Sequence, residues 1–396
     1  MTQQESRIAR EYRYRVERIR KQMRARGLDG LFVMQPLNVW YVTGFWEYVP
    51  IRMEAVLVPI EGECVFIVSK NEYEYAVKTS WIDDVRYYTE FPEPGRHQNP
   101  YDLVAEAVRD CHLDAGVIGI EEDFVPLAEH ERLSRTLPNV RLEHAGTILK
   151  DCRMVKSEYE VDLLKKAGKV ACAGWHASMA TAREGISEYE IGAAAREAAT
   201  RTAASFMSPE EDKHHSPLVD GVQLVQAGER SSISHGRGST NRLEYGDMVA
   251  MCFCLTNQFK GYKVGFARNM AIGEATQEMR DVYRMLHDAQ QLAFSELRPG
   301  VTGSYLDRIV REHIDAAGYG QYIEHRLGRG VGLLYAESPD LKEGDDTVIQ
   351  PGFCLSIEPA VYITGKWGVE IEDSVHVTAD GWEYLTEPAP QELPIV

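Results

Sequence analysis

Between His235 and Glu372 the chain carries a fixed series of short glycine- and charge-bearing runs, and these constrain the fold more than any other feature. The series opens with Ser234-His235-Gly236-Arg237, then Arg242 and Gly246-Asp247. It continues through Gly261-Tyr262 and Arg268 to Gly328-Arg329-Gly330-Val331-Gly332. It closes with Ser356-Ile357-Glu358-Pro359 and Gly368-Val369-Glu370-Ile371-Glu372-Asp373. Glu358 ends an apolar strand-like run, where a carboxylate is partly desolvated and its proton affinity rises unless a cation is near. Glu370 and Glu372 stand two apart in another such run and so share a face. Converging carboxylates need an arginine, a proton or a cationic ligand. Arg268 and Arg329 are the candidates within the chain. His235 is a candidate of another kind, because imidazole titrates near neutrality and suits general acid/base work.

At 396 residues the chain exceeds one typical domain, and two domains are expected. Ile8, Tyr12, Val16, Ile19 and Met23 recur at helical spacing, ending near Gly27. Short apolar runs at 30–34, 54–60, 64–69 and 116–120, with a helical pattern at 101–110, predict an α/β domain over 1–155. Ser157, with Glu160 three residues on, forms a capping box that opens a long helix. From there, over 156–396, helices are predicted near 157–181, 187–204, 276–297 and 304–317. Strands are predicted at 247–255, 268–272, 353–363 and 369–377. The fold class is therefore α/β (α+β). A net charge of −18 opposes nucleic acid. Seven cysteines, scattered and odd in number, form no disulfide framework. There is no apolar leader and no run of about 18 apolar residues. A cytoplasmic protein with a small-molecule substrate, no nucleic acid and no membrane partner is expected.

In this order the landmarks resemble the pita-bread superfamily of prolidase, aminopeptidase P, methionine aminopeptidase and creatinase. The resemblance covers nearly the whole chain. It implies an N-terminal creatinase/prolidase-like domain and a C-terminal pita-bread catalytic domain, with the Ser157 helix opening the second. Peptidases of the superfamily bind two metal ions with two Asp, one His and two Glu. Matched residue by residue, the first Asp position holds Cys252, the second Gly265, and the His position Arg329. Only Glu358 and Glu372 remain. Gly265 has no ligating side chain, and Arg329 is permanently cationic. Cys252 could hold a soft metal, with Cys254 on the same strand face. A Cys-x-Cys pair with two Glu is nevertheless not a usual zinc set. No metal and no other cofactor is expected. The stretch from Asn38 to Arg52 and Val58 is similar to creatinase, where an arginine at the matching place binds the substrate's carboxylate through its planar fork. Creatinase's catalytic Glu position holds Ala267, so creatine itself is not the expected substrate.

The function these substitutions suggest is a metal-independent hydrolase of a small non-peptide C–N compound: a guanidino acid, a cyclic amidine such as ectoine, or an amide. His235, Glu358 and Glu372 would carry catalysis with water as nucleophile. Arg52, Arg268, Arg329 and Tyr262 would bind substrate. The resemblance also implies a twofold homodimer, with Arg52 reaching the partner's site. An elimination in place of hydrolysis stays open. So do a metal-dependent Xaa-Pro dipeptidase or aminopeptidase with a degenerate site, and a non-catalytic pseudo-peptidase that binds a partner.

Overall fold

The computed structural model describes residues 7–46, 51–219, 224–253 and 258–396. Cys254 lies outside them. The chain divides into two compact units, Met1–Arg153 and Met154–Val396.

In the first unit the helix Arg7–Arg26 buries Tyr12, Val16, Ile19 and Met23, the residues whose spacing predicts it. A six-stranded sheet follows, in the order Asp84–Tyr88, Val65–Ser69, Ala55–Pro59, Gly30–Val33, Val117–Ile120, Arg141–His144. Gly30–Val33 is antiparallel to Ala55–Pro59 and parallel to Val117–Ile120. All four of its residues are buried, which is why its sequence is a continuous apolar run and not an alternating one. Phe32, Leu57, Ile67, Val104, Val108 and Ile118 join in one core.

The second unit begins with the helix Glu158–Thr181, whose N-cap Ser157 accepts from the Glu160 amide while the Glu160 side chain accepts from the Ser157 amide. Glu188–Ser205, Gln277–Glu296 and Gly303–Ala316 are its other long helices. Thr276 and Thr302 cap the last two through their hydroxyls. A three-stranded antiparallel sheet runs in the order Ala267–Ala271, Met248–Cys252, Leu224–Ala227. A five-stranded sheet runs in the order Glu337–Leu341, Gly328–Gly330, Cys354–Ile357, Asp373–Val377, Trp382–Tyr384. The apolar run 353–363, expected as one strand, is divided at Glu358-Pro359. Cys354–Ile357 pairs with Gly328–Gly330 and Asp373–Val377, whereas Ala360–Ile363 pairs with Trp367–Glu370. Pro359 has no N–H to donate to a ladder, so the chain changes sheets there. An isolated bridge between Ala267 and Glu372 ties the three-stranded sheet to the segment that carries Glu372. These pairings bring the Cys252, Arg329, Glu358 and Glu372 segments together. Among the described residues, no helix is long and apolar enough to cross a membrane.

Among the described glycines of this unit, Gly168 marks the closest approach. A Cβ there would lie 1.7 Å from the Leu385 carbonyl oxygen. Helix propensity alone would make Gly168→Ala stabilising by about 1 kcal/mol. Overpacking a closed site costs about 1–3 kcal/mol, and here the obstacle is backbone. Gly168→Ala is therefore expected to lower the thermal midpoint. A raised midpoint by calorimetry would show that the helix can move off Leu385.

Candidate functional site

Arg329 is buried on the strand Gly328–Gly330. Its guanidinium stacks 4.1 Å from the centre of the Tyr335 ring, and its Nε donates to the Tyr335 carbonyl at 3.2 Å. Nη1 donates to the Glu358 carboxylate. Nη2 lies 3.0 Å from Glu372 Oε1, close but not aligned as a hydrogen bond. Glu372 is oriented by the Ser356 hydroxyl, which donates to Oε1 at 2.7 Å. Its other oxygen lies 4.0 Å from the Cys252 sulfur. The Cys252 sulfur and a carboxylate oxygen from each of Glu370 and Glu372 lie within 4.8 Å of one another. The Tyr362 hydroxyl, 3.1 Å from His325 Nε2, donates to Glu370 at 3.2 Å.

Two carboxyl groups, of Glu358 and Glu372, thus meet one guanidinium, and Glu370 lies close to Glu372. Burial pushes the Glu358 carboxyl well above its ordinary pKa, and Glu372 adds to the rise against the pull of Arg329. Burial pushes Glu372 the same way, but Arg329, Glu358 and the Ser356 hydroxyl more than offset it, and its pKa falls. Burial would also lower that of Arg329, yet Tyr335 and both carboxylates hold it well above the ordinary value. The two carboxyl groups are thus shifted in opposite directions, as acid and base roles require. The Glu358 side chain is 10 % exposed, against 2 % for Arg329 and 0 % for Glu372. Glu358 is the member of the triad that a ligand can reach.

The other expected site residues are placed differently. Arg268 is buried and turned inward: Nη2 pairs with Asp373 at 2.6 Å, and Nη1 donates to the carbonyls of Ala267 and Glu372 at 2.8 and 2.7 Å. It holds the Glu372 backbone and presents no free fork to a substrate. The buried Tyr262 hydroxyl donates to Glu160 at 2.8 Å, toward the helix Glu158–Thr181. His235 is exposed on the loop after Gly228–Ser232. Among the described residues it makes no hydrogen bond to Glu358 or Glu372. Arg52, in the first unit, pairs with the exposed Glu90 at 2.8 Å. Tyr335, Ser356, Tyr362 and His325 were not singled out by the sequence. Ser356 alone carried a signal, as the residue two before Glu358 in the run Ser356-Ile357-Glu358-Pro359.

The comparisons with known proteins agree with one another. A model described as Metallopeptidase family M24 matches residues 162–379, and one described as Creatinase/Prolidase N-terminal domain matches 15–155. An Xaa-Pro dipeptidase of Lactobacillus delbrueckii is 29% identical, across 94% of this chain and 96% of that one. An Xaa-Pro dipeptidase of Pyrococcus furiosus is 28% identical, across 94% and 97%. The solved structure of an Xaa-Pro dipeptidase from Bacillus anthracis aligns with a TM-score of 0.82 at 26% identity, covering 97% of this chain and 100% of that one. These matches overturn the expectation of a metal-independent hydrolase of small non-peptide C–N compounds. The relatives matched from end to end are named for peptide substrates, within a metallopeptidase family.

A metal pair, which the family implies, does not fit the residues present. The Arg329 guanidinium lies between the two glutamates. Two unit charges about 4 Å apart interact by about 4 kcal/mol at an effective dielectric near 20, so a divalent ion there would meet roughly 8 kcal/mol of repulsion. A Cβ on Gly265 would lie 2.1 Å from both Glu372 Oε1 and Ser356 Oγ. Glu372 and Ser356 fill the volume a ligand side chain at 265 would need.

The protonation split predicts how the triad responds to substitution. Arg329→Ala strips buried carboxylates of their counter-charge, a change that typically costs about 3–5 kcal/mol. Glu358→Gln removes a group whose ionised form burial disfavours, and should cost less. Because the folded-state pKa of Glu358 is raised, the folded chain holds an extra proton above the unfolded carboxyl value, so this contribution to stability declines as pH rises. Denaturant unfolding at several pH values should show that decline in the wild type and not in Glu358→Gln. Equal losses in the two variants, or an unchanged pH slope, would refute the split.

Proposed function

The chain belongs to metallopeptidase family M24, with a creatinase/prolidase N-terminal domain, and from that premise we propose that it is a hydrolase of small peptides, with Xaa-Pro dipeptides as its substrate class. The observation that carries this reading is end-to-end likeness: relatives named Xaa-Pro dipeptidase match 94% of the chain with no large segment left over on either side. Charge supports it as well. Two carboxyl groups against one guanidinium favour a ligand that brings its own cation, and a dipeptide has a free ammonium group. Glu358 would offer a proton at the reachable edge of the cluster, and Glu372 would hold negative charge behind it. His235 is proposed as a further proton carrier that meets the substrate from its loop, and the cytoplasm as the compartment.

A second reading is a protein that binds such dipeptides without cleaving them. The position of Arg329 between the glutamates favours it. Turnover of a panel of Xaa-Pro dipeptides, with and without added Mn²⁺, alongside calorimetric binding of the same dipeptides, separates the two. Cleavage that falls about 10²–10⁴-fold in His235→Ala supports the hydrolase. Binding without cleavage supports the second reading. Neither binding nor cleavage would remove Xaa-Pro dipeptides as the ligand class.

The same proposal includes a twofold dimer in which Arg52 of one chain binds the substrate's carboxylate in the other chain's site. Arg52 has its exposed partner Glu90 to exchange for a ligand, and an arginine–carboxylate contact is worth about 1.5–3 kcal/mol. Arg52→Ala is then expected to weaken substrate binding roughly 10–150-fold. Mixing Arg52→Ala with His235→Ala under subunit exchange should restore part of the activity, because one hybrid site is intact. A monomer by light scattering, or no recovery on mixing, would remove Arg52 from the partner's site.

A further inference from the structure

We propose that the first unit binds a phosphate monoester at the start of the helix Lys70–Thr79, where Ser69 lines a cavity of about 350 Å³. Ser69 ends the strand Val65–Ser69 and lies opposite Tyr88, the last residue of the parallel strand Asp84–Tyr88. The two strands therefore finish side by side, and the carboxyl ends of strands are where α/β sheets take ligands. The helix begins at the next residue, with Ser69 as its N-cap, yet the Ser69 hydroxyl caps no amide. Ser69 is 2% exposed, and its hydroxyl has no hydrogen-bond partner among the described residues. A buried hydroxyl left unpaired is costly, and a ligand oxygen that accepts from it removes that cost. The first N–H groups of a helix also lack partners within it, and with the helix dipole they favour an anion. The hydroxyl and the helix end thus meet at one edge of the cavity.

Two cations line the same cavity, Arg52 and Lys70. Each is held by a carboxylate: Arg52 by Glu90 at 2.8 Å, Lys70 by Glu93. Glu90 and Lys70 are exposed, and ion pairs with a member in water contribute little. An anion fixed by the hydroxyl and the helix end can displace both glutamates toward solvent. A phosphate ester brings three acceptor oxygens and nearly two negative charges, enough for the helix end, the hydroxyl and both cations. A carboxylate brings two oxygens and one charge. Small-molecule sites run from roughly 300 to 1,000 Å³, so a bare phosphate would leave most of this cavity to water. Phe91, Pro92 and Pro94 supply an apolar wall for an organic group. All these residues belong to the first unit. Arg52 also serves the dipeptide reading, but Ser69 belongs to this site alone, so substitution of Ser69 tests the two separately.

Phenyl phosphate, inorganic phosphate and benzoate are the probes, titrated calorimetrically into the whole chain as wild type, Ser69→Ala and Lys70→Gln. Phenyl phosphate should bind the wild type saturably, one per chain, and more tightly than either of the others. Ser69→Ala should weaken it about 10–150-fold, the range for one hydrogen bond to a charged group, and Lys70→Gln should weaken it too. Without ligand, the thermal midpoint of Ser69→Ala should equal or exceed that of the wild type, because the hydroxyl removed has no partner to lose. No saturable binding of phenyl phosphate would overturn the proposal, as would an affinity unchanged in Ser69→Ala. Benzoate or inorganic phosphate binding as tightly as phenyl phosphate would overturn the assignment to a phosphate monoester. A lowered midpoint in Ser69→Ala would show that the hydroxyl serves the fold, and would overturn the proposal as well. Turnover is not read, so this result stands apart from that of the dipeptide assay.

Discussion

The buried contact of one guanidinium with two carboxylates sets the conditions that the rest of the second unit meets. A charge taken out of water must be paired and hydrogen-bonded or it is strongly destabilising. Arg329 meets that demand through Glu358, Glu372, the Tyr335 carbonyl and the Tyr335 ring. Each partner is held in turn. Ser356 fixes Glu372 from its side chain, and Arg268 fixes it from its backbone while pairing with Asp373. Glu358 stands where Pro359 ends one ladder and the chain enters another. Gly265 lacks a side chain because Glu372 and Ser356 occupy that space. A substitution at any of these positions reaches the guanidinium within one contact.

Periodicity made much of the fold legible. Helices such as Arg7–Arg26 and Gln277–Glu296 bury one stripe and expose the rest, so their apolar residues recur at helical spacing. The helix Pro36–Thr43 buries six of its eight residues. With no polar face it has no period to detect, and sequence reasoning passed over it. Arg141–His144 lies at the sheet's edge with no buried residue, so it lacks the apolar run that marks the inner strands. The split of 353–363 was hidden for another reason. The residues on both sides of Glu358-Pro359 are equally apolar, and only the missing N–H of proline separates the two ladders.

The site was legible in its residue types and less so in its partnerships. Glu358, Glu372 and Arg329 stood out in the sequence, and the structure joins them. Arg268 carried the same chemistry and the same prior claim on Glu372, yet it clamps the backbone of that residue while Arg329 takes the carboxylate. Strand register makes that choice. Ala267 bridges to Glu372, so the neighbouring Arg268 lies beside the chain of Glu372 and not in front of its side chain. No reading of residue types alone separates two arginines whose roles differ by one position along a strand.

Fold and chemistry diverge at the same place. The chain shares its architecture with Xaa-Pro dipeptidases over nearly its full length, but a fold carries function only through the groups set in its site. A guanidinium carries one positive charge, one fewer than a divalent ion would, and it stands between Glu358 and Glu372. The pKa of Glu358 is shifted up by burial and that of Glu372 down by Arg329, so a proton taken up by the pair favours Glu358. A proton bound in this way is exchangeable and a side chain is not. The positive charge at this centre is therefore fixed by covalent structure, and the negative charge facing it follows pH.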